Sequence, residues 1–300
     1  MKNRLTDKEI LAELKRRFEE SDAMLKEERK LIAELNVVND KLLASEHLKS
    51  NFLSNIRNEI NNPIASILEL AKNIYEGQMD VESMKKFGTL IFSEAFDLDF
   101  QLRNVFLSAE IEAGESPLSV ISVDVLSLIK TVVDSFHNKI VKKGIQFTLN
   151  NTIEENTIFK TDSEKLHLIL SNLLANAIQF NEQGGSVEIT SKIENDQLVV
   201  AVKDSGIGIS EKQKDKIYDR FHQIEEGSTK TYGGHGLGLS ITKALLEIIE
   251  GKISLESKLG KGSIFTIVVD QLGTGHGDDD TFSSDGNDFL FDQDEDDMLF

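Results

Sequence analysis

Residues 198–209, Leu-Val-Val-Ala-Val-Lys-Asp-Ser-Gly-Ile-Gly-Ile, decide how the rest of the chain is interpreted. The β-branched run predicts a strand over 198–203, and this strand leads directly into Asp204, Gly206 and Gly208. A carboxylate at that position can accept a hydrogen bond from an exocyclic amine such as that of adenine, and the glycines let the backbone approach a flat ring. Taken alone, Asp-Ser-Gly is also an ordinary turn.

The surrounding region, residues 118–270, alternates strand-like and helical patterns. Period-two runs predict strands at 145–149, 187–190, 198–202 and 263–269, and apolar spacings of three and four predict helices at 125–142, 163–180, 211–220 and 238–250. A sheet with this alternation packs one face on helices. We therefore expect an α+β fold with helices on a mixed sheet.

A second motif, Asn172-Leu-Leu-Ala-Asn176-Ala-Ile-Gln179-Phe180, lies on one of these helices. Asn172 and Asn176 are four residues apart and share a helix face. A side-chain amide carbonyl is a hard oxygen that suits Mg²⁺, so both are candidate ligand contacts. The alternative is a helix surface with two ordinary asparagines.

Two further motifs follow. Phe221 ends a short predicted helix and is either a ligand contact or a core residue. Residues 225–231 form a candidate lid. The stretch Gly233-Gly-His-Gly-Leu-Gly-Leu239 precedes and opens a predicted helix. Backbone amides of glycines before a helix can bind phosphate. The candidate phosphate contacts are therefore Gly234, Gly236, Leu237 and Gly238. Lys230 is a candidate phosphate contact, or simply a solvated lysine.

The order of these four motifs resembles the N, G1, F and G2 boxes of the sensor histidine kinase ATPase domain. Residues 110–114 look like that family's exit from its dimerisation domain and 260–265 like its final hairpin, so the resemblance covers roughly 45–270. It implies ATP and Mg²⁺ as ligands, with Asn176 on Mg²⁺, Asp204 on adenine, and Gly236 and Gly238 near the phosphates.

Two departures from the family pattern bear on this site. Gln179 stands where a basic residue is common, which removes one positive charge near the triphosphate, and His235 stands where a small hydroxyl residue is common. Neither abolishes the site, and we expect ATP binding that is retained or weakened.

The stretch Phe52-Leu-Ser-Asn-Ile-Arg-Asn58-Glu59-Ile-Asn-Asn62-Pro63 resembles the phosphoacceptor box of the same family, in which position 58 holds a histidine. A neutral imidazole has a nitrogen lone pair that can attack phosphorus, whereas the nitrogen of an amide only donates hydrogen bonds. Glu59 fits the acid that orients the imidazole, and Asn62 fits the residue that aligns water for dephosphorylating a partner. Autophosphorylation at Asn58 is therefore predicted to be absent.

Apolar residues recur in heptads along residues 8–50, which predicts either a parallel coiled-coil dimer or a single amphipathic helix lying on its own domain. Pro63 would normally break or kink the continuing helix. A second helix over 81–112 completes a helical hairpin, and two copies form a four-helix bundle. The expected architecture is a coiled coil (1–46), a dimerisation hairpin (47–112), a linker (113–117), the α+β ATP-binding domain (118–270) and an acidic tail (271–300).

Composition limits the remaining possibilities. The 300 residues contain no cysteine, which excludes disulfides and thiolate metal sites, and no apolar run is long enough to span a bilayer. Residues 271–300 carry ten acidic residues and no Lys or Arg, supplying −10 of the net charge of −19. This charge disfavours nucleic acid as a partner. We expect a cytoplasmic protein whose tail is disordered, either as a solubilising segment or as an interaction segment.

Three functions remain open from the sequence. The chain is a pseudokinase that binds ATP as a homodimer and signals through a response regulator or another kinase, a response-regulator phosphatase using Glu59 and Asn62, or a sensor kinase whose acceptor histidine was substituted. Chaperones, topoisomerases and mismatch-repair proteins share the ATPase fold, but the preceding hairpin argues against them.

Overall fold

The computed structural model describes residues 7–77, 79–222 and 236–273. Contacts between Cα atoms divide the chain into two units, Met1–Asn55 and Ile56–Phe300. The helical N-terminal region and the α+β domain after it agree with the expected fold class.

Helix α1 runs without interruption through Asp7–Glu76. Pro63 lies inside the helix and is buried, so it neither ends nor starts an element, contrary to the usual effect of a proline that lacks an N–H donor. In the first unit, the described apolar side chains are exposed; Phe18 is 81% exposed and Leu35 is 69% exposed. The apolar seam of the heptads is therefore uncovered within a single chain.

Helix α2 spans Val81–Ala113. It begins where the Asp80 carboxylate accepts a hydrogen bond from the Ser83 amide at 2.8 Å. It ends at Gly114, whose φ of 71° is left-handed and whose N–H donates to the carbonyls of the last turn. The predicted second helix, 81–112, differs from this helix by one residue.

The α+β domain contains a five-stranded sheet in the order β2-β4-β5-β7-β6 and a separate antiparallel pair, β1-β3. Its strands are β1 (Ile121–Asp124), β2 (Gln146–Asn151), β3 (Ile158–Thr161), β4 (Ser186–Glu194), β5 (Gln197–Asp204), β6 (Gly251–Ser257) and β7 (Ser263–Asp270). The β2–β4 pair is parallel and the other pairs are antiparallel, so the sheet is mixed as expected.

The described part of this domain contains four α-helices: α3 (Val125–Ser135), α4 (His137–Lys142), α5 (Ser163–Gln179) and α6 (Gly238–Ile248). The α5 side chains Leu166, Ile169 and Leu173 are fully buried, as is Val200 of the central strand β5. Burial of each such side chain contributes about 1.5–3 kcal/mol to the stability of the folded state. This apolar layer fixes α5 against the domain core, and α5 carries the asparagine motif.

Three sequence predictions differ from the structure. The helix expected over 125–142 is interrupted at Phe136, which is fully buried and edge-on to Phe96 and Phe100 of α2. The helix expected over 211–220 is mostly turn, with a short 3₁₀ segment at Lys216–Tyr218, because this stretch buries only Ile217 and lacks an apolar stripe. The strands β1, β3 and β6 were not predicted.

None of the helices in the described part of the chain is both long and apolar enough to cross a bilayer.

Candidate functional site

A cavity of about 750 Å³ lies beside the ends of α5 and β5 and the start of α6. Its volume is within the range of small-molecule sites. The predicted ligand contacts that line it are Asn172, Asn176, Asp204, Gly208, Gly236, Leu237 and Gly238. Gly206 and Phe221 are not on its wall, and Lys230 and Gly234 lie outside the described residues. The structure therefore brings together residues from three of the four motifs.

Asp204 ends strand β5 and is 9% exposed. Its Oδ1 accepts hydrogen bonds from the backbone amides of Gly206, at 2.8 Å, and Ser263, at 3.2 Å. Burial raises the pKa of this carboxyl above its ordinary value of 3.8, and the two amide bonds act in the opposite direction. A carboxylate held in this way on a cavity wall is a fixed acceptor for a ligand N–H.

The two glycines after Asp204 are also required by the packing of the protein itself. A Cβ on Gly206 would lie 2.2 Å from the carbonyl oxygen of Phe180, and one on Gly208, whose φ is +64°, would lie 2.1 Å from that of Lys258. Both positions therefore require glycine because the turn packs against the protein's own backbone. Their contact with a ligand stays a prediction, and Gly208 also lines the cavity.

The two asparagines of α5 have separate environments. Asn172 is 2% exposed, and its Nδ2 donates to Oδ1 of Asn104 on α2 at 3.0 Å. Asn176 lies one turn later, is half-buried and lines the cavity. Asn172 therefore joins two helices, whereas Asn176 stays accessible to a ligand.

The amide oxygen of Asn176 is the predicted metal contact. Magnesium binds through few protein oxygens together with phosphate oxygens and water, so one amide oxygen on a phosphate-sized cavity fits the ion. No group of three or more His, Cys, Asp or Glu that could hold a metal occurs among the described residues. Asn176 would hold a metal at this site together with the phosphates of a ligand.

Three lysines on the cavity wall were missed by sequence reasoning: Lys139, Lys142 and Lys143. Nζ of Lys143 donates to the carbonyls of Ile178, at 2.8 Å, and Gln179, at 2.7 Å, at the end of α5. Burial lowers the pKa of Lys143. These lysines place positive charge at the cavity where Gln179 supplies none. The sequence feature that could have indicated this positive charge is the adjacent pair Lys142-Lys143 at the end of the predicted helix 125–142.

Part of the cavity wall belongs to α2, which sequence reasoning also missed. Asp97, Phe100, Gln101 and Asn104 of this helix all line the cavity. The site is therefore shared between the α+β domain and the helix that precedes it.

The three candidate catalytic residues, Asn58, Glu59 and Asn62, all lie on helix α1. The structure describes the side chain of Asn62, which is exposed, while the side chains of Asn58 and Glu59 lie outside the description. The arrangement of the phosphoacceptor box stays a prediction.

Comparisons with known proteins agree with this geometry. Residues 161–272 match the family model described as histidine kinase-, DNA gyrase B-, and HSP90-like ATPase. Over 231 residues the chain is 31% identical to the autoinducer 2 sensor kinase/phosphatase LuxQ of Vibrio vulnificus, covering 75% of this chain and 27% of LuxQ. Over 248 residues it is 31% identical to the sensor protein EvgS of Escherichia coli, covering 81% of this chain and 20% of EvgS.

Among solved structures, full-length ShkA in complex with AMPPNP resembles the chain with a TM-score of 0.52 and 23% identity, covering 75% of this chain and 45% of ShkA. This likeness shows a shared fold. The chain spans about a quarter of the length of the curated relatives it matches. Together these findings show a histidine kinase-type ATPase domain in a chain homologous to sensor kinases.

Proposed function

We propose, from the premise that residues 161–272 form a histidine kinase-type ATPase domain, that the chain is a two-component signalling protein that binds ATP with Mg²⁺. The observation that carries this proposal is the cavity. It collects a buried carboxylate, Asp204, an accessible amide, Asn176, and the start of helix α6 on one surface. These groups offer a hydrogen-bond acceptor for the base, an oxygen ligand for Mg²⁺ and backbone donors for the phosphates.

Each part of the nucleotide has a matching group. Asp204 accepts a hydrogen bond from the exocyclic amine of adenine while its Oδ1 stays fixed by two backbone amides. Gly236 and Gly238 stand at the N-terminus of α6, where amides and the helix dipole favour phosphate. Asn176 would hold Mg²⁺, which neutralises phosphate charge when bound. Lys142 adds positive charge at the same cavity.

The finer proposal is that the chain is a pseudokinase. Phosphotransfer to a protein nitrogen needs a lone pair, and the amide of Asn58 has none available. ATP would then act as a conformational ligand or as a substrate for a partner protein. The support for this step is the sequence of the phosphoacceptor box and its elementary chemistry.

A phosphatase is the second candidate function. Asn62 is exposed on α1, so its amide is accessible to a partner and can orient a water molecule. Glu59 precedes it by three residues on the same helix, which places both on one face. The phosphorylated aspartate of a response regulator is the substrate this candidate requires. The third candidate, an ordinary kinase with a substituted histidine, would share the same ATP site.

We further propose a homodimer. On α1, Leu68 is 65% exposed and Tyr75 is 90% exposed, and on α2, Phe92 is 46% exposed and Phe106 is 63% exposed. Exposed apolar residues repeated along two helices favour burial against a second copy, as in a four-helix bundle. The exposed seam of the first unit favours a coiled coil in the same dimer. A response regulator is the proposed signalling partner.

Calorimetric titration of the full chain with a non-hydrolysable ATP analogue and Mg²⁺ tests the proposal. We expect saturable binding by the wild type and a weaker response in Asp204→Asn. Asp215→Asn removes an exposed carboxylate of the same domain and serves as the matched control with unchanged binding. Absence of binding by the wild type would contradict the proposal.

A further inference from the structure

Helix α2 faces the ATPase domain with polar residues. Its buried residues are Asn104 and Ser108, which are 7% and 8% exposed and lie one turn apart on the same face. The Asn104 amide is engaged on both sides: its Oδ1 accepts from Asn172 and its Nδ2 donates to the Phe100 carbonyl, both at 3.0 Å. The same helix also makes apolar contacts, because the rings of Phe96 and Phe100 meet the fully buried ring of Phe136 edge-on.

Ion pairs lie on either side of this hydrogen bond. Asp97 pairs with Lys139 of α4 near the start of the contact, and Glu112 pairs with Arg220 at 3.6 Å near its end. The Lys139 ammonium also lies 5.4 Å from the centre of the Phe136 ring. The contact therefore follows most of the second half of α2.

These contacts place α2 beside two parts of the domain. Asn104 meets Asn172 of α5, and Asp97 meets Lys139 of α4. Gln101, one turn before Asn104, lines the same cavity as Asn176.

Gln101 has an unused acceptor at this place. It lines the cavity, and its Oε1 is buried and accepts no hydrogen bond from any residue the structure describes. A buried acceptor without a partner costs free energy. A hydroxyl or amine of a ligand in the cavity would remove that cost.

We infer that α2 is part of the nucleotide site and that Gln101 accepts a hydrogen bond from the ribose–phosphate portion of the nucleotide. The inference rests on the proposed nucleotide binding. The cavity of about 750 Å³ exists with α2 in place, so the ligand and the helix are compatible. Bound nucleotide holds α2 against the domain, and by reciprocity docking of α2 tightens nucleotide binding. Occupancy of the site thereby reaches the hairpin that carries position 58.

The first test uses a single thiol. The chain contains no cysteine, so Ser108→Cys creates one buried reporter, and the rate of its reaction with a maleimide measures how often α2 leaves the domain. Saturating non-hydrolysable ATP analogue with Mg²⁺ is expected to slow labelling at least about fivefold, the lower end of typical couplings. Ala109→Cys places an exposed thiol on the next residue, and its rate should not respond.

The second test measures affinity. Gln101→Leu removes the acceptor while filling its space, and we expect nucleotide binding about tenfold weaker by calorimetry, equal to about 1.4 kcal/mol. Glu110→Leu, at an exposed position of the same helix, is the control and should bind like the wild type.

The outcomes separate the two proposals. Binding by the wild type together with unchanged labelling of the Ser108→Cys variant, or with unchanged affinity of Gln101→Leu, overturns the role of α2 and leaves the proposed function standing. Faster labelling at saturation means that nucleotide displaces the helix, which also overturns it. Absence of any binding by the wild type defeats the proposed function itself.

Discussion

The interior of the ATPase domain and the contact between α2 and that domain are built from different chemistry. Helix α5 is held by Leu166, Ile169 and Leu173, all fully buried, whereas α2 combines the buried polar residues Asn104 and Ser108 with ring contacts to Phe136. When the α2 contact opens, its polar groups exchange their partners for water at modest net cost, whereas exposing a buried side chain of α5 loses its hydrophobic stabilisation. We therefore expect the domain interior to be more stable than the α2 contact.

The largest expected effect tests the apolar interior of the domain. Leu173→Ala removes a fully buried side chain and should lower the free energy of unfolding by about 2–5 kcal/mol, measured by urea denaturation. Leu259→Ala, at a side chain that is 65% exposed, should change it by less than about 0.5 kcal/mol. Equal effects of the two substitutions would remove the distinction between core and surface in this domain.

Asp204→Asn tests the nucleotide cavity, which both the domain interior and α2 border. The neutral amide keeps an oxygen for the Gly206 and Ser263 amides but loses the charge, so nucleotide affinity should fall by about 10- to 100-fold, the value of a hydrogen bond to a charged group. Calorimetry with the ATP analogue measures this change. The stability of the ligand-free protein at neutral pH should be unchanged or higher.

The sign of that stability change follows from the pKa of Asp204. Burial raises the pKa above 3.8, so the stability this group contributes is present at low pH, where it is protonated, and is lost as pH rises through the folded-state pKa. Removing the titration should therefore relieve a cost at neutral pH. In the wild type, acidification should protonate Asp204 and weaken nucleotide binding. Because the pKa of Asp204 is raised, this loss should begin at a higher pH than for an ordinary aspartate with a pKa of 3.8. A decrease in stability for Asp204→Asn at neutral pH would contradict this account.

Asn104→Ala tests the polar contact. It leaves Nδ2 of Asn172 buried without its acceptor, which costs about 1–3 kcal/mol, and this cost should appear as faster hydrogen exchange in the second half of α2. Glu110→Ala, at an exposed position of the same helix, is the control. Identical exchange in the two variants would show that α2 is not held by this hydrogen bond.

The smallest effect is expected for Glu112→Gln. The side chains of Glu112 and Arg220 are 73% and 35% exposed, and such pairs contribute about 0.2–1 kcal/mol. Hydrogen exchange at the end of α2 should rise slightly at low salt, and the difference from wild type should vanish at about 1 M salt because the charges are screened. A salt-independent difference would point to a structural rather than electrostatic role.

The two regions also differ in how far the sequence predicts them. Asp204 and Asn176 belong to local motifs in which a strand or helix period and a chemical group coincide, and the structure places both on one cavity. The contact between Asn104 and Asn172 joins residues 68 positions apart, and nothing local in either stretch indicates the other. The α2 wall and the cavity lysines were missed for this reason.

Local sequence patterns gave incomplete or wrong predictions where the same residue types are compatible with several structures. The sequence suggested ligand approach as the reason for Gly206 and Gly208, and it did not reveal that the turn also packs against Phe180 and Lys258. The charged stretch 211–220 was assigned to a helix, although with only Ile217 buried it has no apolar face to anchor one. A helix needs such a face in addition to favourable residues.

The central claim, that this chain binds ATP and forms no phosphohistidine, is tested most directly by incubating the full chain with radiolabelled ATP and Mg²⁺. We predict no acid-labile phosphate on the wild type, and labelling of Asn58→His if the remaining geometry supports transfer. Acid-labile phosphate on the wild type, at any histidine, would contradict the claim and identify the chain as a kinase with a relocated acceptor.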